Sequence, residues 1–168
     1  MQKSPLVAVD TNLPILLAEG DDYALDALSL VRSRLRPGLI LVPPTVLLEL
    51  AYKAQNDPDS EGRRITQLAL ANLRSQWNFW PASLNSVQEG IVTEAARRLR
   101  HAALIPDAER NDAAIIAESA VLNSVLLVSD DSHLLDVDRR RMESLFRELD
   151  LPAPLIVSPR EIVRKFYC

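Results

Sequence analysis

Short, wholly apolar runs separate longer segments along this chain, and the longer segments repeat apolar residues at helical spacing. The short runs are bounded by turn-forming residues and lack polar alternation, which is typical of strands buried on both faces of a parallel sheet. The predicted strands cover residues 6–9, 39–42, 125–129 and 155–157. Residues 78–80, just before Pro81, are a candidate for a short edge strand.

Helices are predicted for the amphipathic segments between the strands, with Thr11 or Asn12 expected to cap the first of them. The first helix begins within residues 11–14 and ends at Gly20. A second helix is predicted from residue 21 or 22 to about residue 35, and further helices over residues 45–55, 61–75, 86–103, 112–122 and 139–149 and from Pro159 onward. This alternation predicts a three-layer α/β/α sandwich with a central parallel sheet of about four to five strands. Because no long linker or internal repeat divides the chain, residues 1–168 are expected to form one domain.

The composition narrows the class of protein and its compartment. A hydrophobic content of 48% and a charged content of 25% are ordinary for a globular protein. No apolar run approaches the roughly 20 residues of a membrane helix, so no membrane association is expected. Strand-like sequence begins at Leu6 and leaves no room for a signal peptide, and the single cysteine, Cys168, suits a reducing compartment. We therefore expect a cytoplasmic protein.

Charge and metal-ligand content narrow the chemistry further. One cysteine and two histidines argue against a zinc site. The net charge of −4 argues against a general nucleic-acid coat protein, but it leaves room for an enzyme that handles nucleic acid through a local basic rim and a metal. Candidates for such a rim are Arg97, Arg98, Arg100 and Arg139 to Arg141. The simpler interpretation of these arginines is a solvated helix face.

Acidic residues end two of the predicted strands. Asp10 follows the first strand, and the pair Asp130 and Asp131 follows residues 125–129. The carboxyl ends of parallel strands in such a sheet form ligand crevices, so these acids are expected to meet. Two adjacent acids repel each other unless a turn requires them or a cation neutralises them. One of the pair is expected to face the crevice.

Two more acids lie on helices between these strands. Glu49 lies in an almost wholly apolar helical segment, and Asp112 lies at a predicted helix start. Each acid also has a local interpretation: a helix cap for Asp10, an ion pair with Lys53 for Glu49, helix-dipole complementation for Asp112, and a turn for Asp131. Taken together, an all-oxygen cluster without cysteine favours Mg²⁺ or Mn²⁺.

Four segments resemble, in order, the acidic motifs of the PIN-domain nucleases, a family that includes the VapC-type toxins. They are residues 7–12, 42–50, 111–117 and 127–134, and residues 156–161 resemble the closing strand and helix of that family. Counting from Ser129, Asp131 matches the acid of the fourth motif better than Asp130 does. The family often has a further acid two places later, where this chain has His133. Contact with substrate and a simple surface position are both open for this histidine.

The resemblance implies a metal-dependent endoribonuclease that hydrolyses RNA phosphodiester bonds. Asp10, Asp112 and Asp131 would hold Mg²⁺ or Mn²⁺, with Glu49 holding a second ion or a coordinated water. The residues expected beside the ligands or the substrate are Thr11, Asn12, Ser129 and Asp130. The expected partners are RNA, a small antitoxin protein and a second copy of the chain in a homodimer.

Two other functions are open on the sequence alone. A catalytically silent domain of this fold could bind RNA or a protein. A phosphate receiver also uses acids at strand ends, but it pairs adjacent acids near its N-terminus with a lysine that follows a later strand. Here Asp10 has no acidic neighbour, and the only lysine in the last third of the chain is Lys165 in the terminal helix, so this function ranks low.

Overall fold

The computed structural model describes residues 4–166, in which strands and helices alternate as the apolar pattern predicts. Cys168 lies outside the described residues. The strands are β1 (Leu6–Val9), β2 (Leu39–Val42), β3 (Phe79–Pro81), β4 (Ser124–Val128) and β5 (Leu155–Val157). The helices are α1 (Asn12–Glu19), α2 (Asp22–Leu30), α3 (Pro44–Asn56), α4 (Ser60–Ser75), α5 (Ser86–His101), α6 (Arg110–Val121), α7 (Ser132–Leu135), α8 (Arg139–Glu148) and α9 (Pro159–Phe166).

The five strands form one parallel sheet in the order β3-β2-β1-β4-β5. This confirms the predicted three-layer α/β/α fold and the edge position of the strand near Pro81. The chain moves from β1 to β2 on one side and returns to β4 on the other side of β1. A ligand crevice forms at such a reversal of strand order, outside the carboxyl ends of the strands. Asp10 directly follows β1, and Ser129 directly follows β4.

The core lies on both sides of the central strands. Val7, Ala8 and Val9 of β1 are almost completely buried, as a strand covered on both faces requires. Small residues line α6, whose segment from Ile115 to Val121 is buried throughout, and this helix packs against α3, α5 and β4. The close packing of α6 holds its first turn, which carries Asp112, in a fixed position relative to the sheet.

Helix ends account for most differences from the predicted elements. Directly after α2, residues Val31–Leu35 form a π-helical turn, whereas the sequence predicts that the regular helix continues to residue 35. The single turn α7 is absent from the predicted elements, and α6 begins at Arg110 rather than Asp112. Gly20 ends α1 in the left-handed conformation, as predicted. No helix within residues 4–166 is long and apolar enough to cross a membrane.

Candidate metal centre

Asp10 lies at the end of the central strand and is only 4% exposed. Its Oδ1 accepts a 2.6 Å hydrogen bond from the backbone N–H of Thr11, and its Oδ2 accepts a 2.7 Å bond from the hydroxyl of Ser129. A further bond of 2.9 Å joins the Asp10 N–H to the carbonyl of Val128. These contacts tie the ends of β1 and β4 together, and none of them caps α1, so the local interpretation of Asp10 as a helix cap is wrong.

Burial raises the pKa of Asp10 to about 6. The hydrogen bonds from Ser129 and Thr11 favour the charged form and lower this pKa, while repulsion from Glu49 and Asp131 raises it. The ionised form of Asp10 is therefore disfavoured near neutral pH, and a neighbouring cation would stabilise it.

Glu49 on α3 is held by two hydrogen bonds from other elements. Its Oε2 accepts a short bond from the hydroxyl of Thr11, and its Oε1 accepts a 2.8 Å bond from the side-chain amide of Asn111. Within residues 4–166, Glu49 makes no ion pair with Lys53, so the local interpretation of Glu49 is wrong as well. The Thr11 hydroxyl serves Glu49 rather than capping α1, and the side chain of Asn12 does not cap it either.

Asp112 lies in the first turn of α6, and its side chain is 14% exposed. Its Oδ2 is buried and accepts no hydrogen bond from the described part of the chain. Burial, followed by the negative charges of Asp131, Asp10, Glu109 and Glu49, raises the pKa of Asp112 to about 6. An orphaned carboxylate oxygen within reach of other carboxylates is the environment in which a divalent cation is stabilising.

The two adjacent acids after β4 have different surroundings. The N–H of Asp131 donates a 3.0 Å bond to the hydroxyl of Ser129, and its Oδ1 accepts a 2.7 Å bond from the N–H of His133, which caps α7. Asp130 is exposed, and its backbone N–H donates a 3.0 Å bond to Oδ1 of Asn12. Asp131 is the one whose charge raises the pKa of Asp10, as expected if only one of the pair faces the crevice.

His133 on α7 and Glu109, directly before α6, also belong to this group. The imidazole Nδ1 lies 3.5 Å from Asp112 Oδ2, 3.8 Å from Asp131 Oδ1 and 3.9 Å from Glu109 Oε1. Ligand atoms of Glu109, Asp112 and His133 all lie within 4.8 Å of one another. Among the described residues, no three of the four predicted acids come that close, although their charges raise one another's pKa values.

Sequence reasoning missed three polar residues near this group. Glu109 precedes Asp112 by one helical turn, a spacing that could have flagged it. Asn111, the neighbour of Asp112, reaches Glu49. Glu118 on α6 is buried, and burial raises its pKa. Its carboxylate accepts a 3.0 Å bond from the N–H of Thr45 and a 2.6 Å bond from the Thr45 hydroxyl. Pro43 provides no cap for α3, so Glu118 fills that role from another helix and fixes the helix that carries Glu49.

The arginines predicted to form a basic rim mostly have protein partners. Their contacts are Arg97 with Glu94, Arg98 with Glu94 and Glu148, Arg100 with Asp107, Arg139 with Glu143, and Arg141 with the carbonyl of Ala102. Most of these pairs are solvent-exposed. They support the simpler interpretation of a solvated helix face, and the role of these arginines in binding RNA stays a prediction.

Known proteins share sequence features and the fold with this chain. The family model described as the PIN domain matches residues 7–140, a span that contains all four predicted carboxylates. None of the curated proteins matches this chain. Among solved structures, the chain is similar to one in the crystal structure of VapBC2 from Rickettsia felis bound to a DNA fragment from their promoter. The TM-score is 0.60 at 16% identity, and the match covers 91% of this chain and 98% of that chain.

At that level of identity the structural similarity concerns the fold. The family assignment rests on the match over residues 7–140, which spans most of the 168 residues and agrees with the order of the acidic motifs. The chain belongs to the PIN domain family.

Proposed function

We propose that this PIN-domain protein is a divalent-metal-dependent endoribonuclease that hydrolyses RNA phosphodiester bonds. The observation that carries the proposal is the unsatisfied carboxylate oxygen of Asp112. Its buried Oδ2 accepts no hydrogen bond from the described residues, and burial, followed by the charges of neighbouring carboxylates such as Asp131 and Asp10, disfavours its ionised form. A cation would supply the positive charge that this part of the protein lacks.

The donor set fits such an ion. Asp10, Asp112 and Asp131 would hold Mg²⁺ or Mn²⁺ through carboxylate oxygens, and Glu49 would hold a second ion or a coordinated water. When bound, the metal supplies Lewis-acid activation of water and shields the negative charge of the phosphoryl oxygens. Because these carboxylates act as ligands, none of them is assigned as a general base.

The remaining polar residues position these carboxylates. Ser129 donates to Asp10, and Thr11 and Asn111 each donate to one oxygen of Glu49. Fixing carboxylates in this way reduces the reorganisation needed when a cation or phosphate arrives. Asn12 holds the backbone at Asp130 and so fixes the loop that carries Asp131.

The structural neighbour supports a proposal about partners. The structural neighbour is named as VapBC2 bound to promoter DNA, and this chain matches nearly all of the neighbouring chain. We propose that this protein is likewise the toxin of a toxin–antitoxin pair, bound by a small antitoxin protein, and that it forms a homodimer and acts in the cytoplasm. The second candidate function is a catalytically silent binding module. Such a module gives no reason for a buried carboxylate oxygen without a partner at Asp112.

Cleavage of a labelled single-stranded RNA tests the proposed activity. Cleavage is expected with Mg²⁺ or Mn²⁺, and EDTA should abolish it. Asp112→Asn should lose cleavage, because a ligand oxygen becomes an amide. Asp150→Asn is the matched control, since Asp150 is exposed and has a positive φ that asparagine tolerates. RNA binding that is unaffected by metal, without cleavage, would favour the silent module.

A further inference from the structure

We propose that Glu109, Asp112 and His133 form a second cation position in this site, with imidazole Nδ1 as a nitrogen ligand, and that this position prefers Mn²⁺ to Mg²⁺. This inference rests on the proposed function, because it takes the site to hold divalent cations. Of its three residues, Glu109 belongs to none of the four acidic motifs, and His133 lies in the fourth motif at a position where the family that this chain resembles often has an acid.

The distances fit ligands that share one ion. Nδ1 of His133 lies 3.5 Å from Asp112 Oδ2 and 3.9 Å from Glu109 Oε1. Two ligands bonded at about 2.1 Å to an octahedral ion are about 3.0 Å apart when adjacent and about 4.2 Å apart when opposite. Only small side-chain rotations would bring the three groups to bonding distance of one cation.

One buried, unsatisfied oxygen and an exposed imidazole nitrogen beside it point to a ligand at this position. Asp112 Oδ2 is buried and accepts no hydrogen bond from residues 4–166, although Nδ1 of His133 is its neighbour at 3.5 Å. Nδ1 itself makes no hydrogen bond in the described part of the chain, and three carboxylate oxygens lie within 4.0 Å of it. A metal ion would bond to both atoms at once, whereas a direct hydrogen bond between them is not formed.

The backbone around His133 holds the imidazole close to the acids. Asp131 caps α7 by accepting from the N–H of His133 at 2.7 Å, so one turn of helix fixes the residue relative to the end of β4. That cap engages Oδ1 of Asp131 and leaves its other oxygen for the first ion. Asp112 would then be shared between the two cation positions.

A nitrogen ligand changes which ion is preferred. Mg²⁺ binds oxygen ligands and gives up its waters reluctantly. Imidazole nitrogen suits transition-metal ions better than it suits Mg²⁺. Because the two ions have the same charge, replacing a carboxylate ligand by histidine should shift the preference from Mg²⁺ toward Mn²⁺. The competing explanation is a direct contact of the His133 imidazole with the three carboxylates, without any metal.

Pulsed EPR on protein-bound Mn²⁺ separates these explanations. The chain has two histidines, His101 and His133, so a tag-free protein has only two possible sources of imidazole ¹⁴N coupling. His101 is exposed at the end of α5 and has no metal-ligating neighbour group among the described residues. We expect ¹⁴N coupling in the unmodified protein and in His101→Asn, and its loss in His133→Asn.

Counting bound Mn²⁺ from the EPR signal of the free ion provides a second measurement. The unmodified protein should bind two ions, with Glu49 holding a coordinated water rather than a third ion. His133→Asn and Glu109→Gln should each bind one. His133→Asp should restore the second ion without ¹⁴N coupling and should shift the competition between Mn²⁺ and Mg²⁺ toward Mg²⁺. An unchanged far-UV circular dichroism spectrum would show that each variant is folded.

The outcomes distinguish this inference from the proposed function. Mn²⁺ that binds without imidazole coupling, in a stoichiometry unchanged by His133→Asn, would overturn the second position and leave the nuclease proposal in place. A protein that binds no Mn²⁺ would overturn both. Coupling that disappears with His101→Asn but survives His133→Asn would also overturn the assignment.

Discussion

Ser129 and Asp10, 119 residues apart in the chain, are joined by a buried 2.7 Å hydrogen bond at the point where the strand order reverses. The same Ser129 hydroxyl accepts a bond from the N–H of Asp131. One small side chain thus orients an acid from the first motif and the backbone of an acid from the fourth. The bond is possible because β1 and β4 are paired in parallel, so both residues emerge at the same edge of the sheet.

Removing that hydroxyl should weaken metal binding without unfolding the protein. Ser129→Ala deletes the donor to Asp10, so the ionised carboxylate loses a hydrogen bond and its orientation. Loss of a partner next to the ligands typically costs about 10- to 100-fold in metal affinity or activity. Calorimetric titration with Mn²⁺ measures the effect, with Ser144→Ala on exposed α8 as the control. Unchanged Mn²⁺ affinity in Ser129→Ala would contradict this role.

The raised pKa of Asp10 predicts that a mutation in the site stabilises the metal-free protein. The native state binds the proton up to about pH 6, whereas the unfolded carboxyl releases it near 3.8. Stability therefore falls as pH rises through this window and stays reduced above it, by at most about 3 kcal/mol. Asp10→Asn removes that penalty.

Urea unfolding in EDTA provides the measurement for Asp10. Asp10→Asn should be more stable than the unmodified protein at pH 7.5. The difference should fall to about a third of that value at pH 4.5 and approach zero only below the unfolded-state pKa of 3.8. Asp150→Asn, at an exposed position, should show no such trend. A metal-free Asp10→Asn protein that is less stable at pH 7.5 would mean that ionised Asp10 is well accommodated without a cation.

Cation binding should raise the melting temperature. Mg²⁺ or Mn²⁺ that binds only the folded state stabilises it in proportion to the logarithm of its concentration. The shift should be absent in Asp112→Asn, because that variant lacks a ligand oxygen at the orphaned position. Differential scanning fluorimetry with and without EDTA measures both effects, and an equal shift in the variant would remove Asp112 from the ligand set.

Glu118 is predicted to be structural. Glu118→Ala leaves the N–H and hydroxyl of the half-buried Thr45 without their acceptor. The cost is at most about 1–3 kcal/mol for each group, which is the penalty for a fully buried unsatisfied group. The melting temperature should fall and α3 should loosen, with cleavage lost through the displacement of Glu49. Glu118→Gln, which keeps one acceptor oxygen, should be milder, and Glu19→Ala on the exposed end of α1 should be neutral. Full activity in a destabilised Glu118→Ala protein would show that Glu49 does not depend on this contact.

Much of the fold follows from local sequence pattern. Buried strands such as β1 and β2 have no polar alternation, and Gly20 and the turn at Pro37 and Gly38 separate the elements around them. Parallel pairing then brings Asp10 and Ser129 to one edge without further information. The order of the acidic motifs was enough to name the family that the match over residues 7–140 confirms.

Contacts between distant helices could not be predicted in the same way. Glu118 caps α3 from α6, and Asn111 reaches Glu49, because these helices pack at positions that no local spacing encodes. The sequence predicts Thr11 or Asn12 as the cap of α1, but the Thr11 hydroxyl donates to Glu49, a carboxylate that the fold brings in from another helix. The short helix α7 places His133 beside Asp112. This helix depends on a cap from Asp131, and on sequence alone that residue is equally consistent with an ordinary turn.

The most direct test is anomalous scattering from a Mn²⁺-soaked crystal, which locates the ions and identifies their ligands. The account predicts a peak among the carboxylates of Asp10, Asp112 and Asp131, and a second peak beside Nδ1 of His133. A crystal soaked under conditions that support RNA cleavage, with no peak among these carboxylates, would contradict the claim that folding gathers distant acids into a cation site.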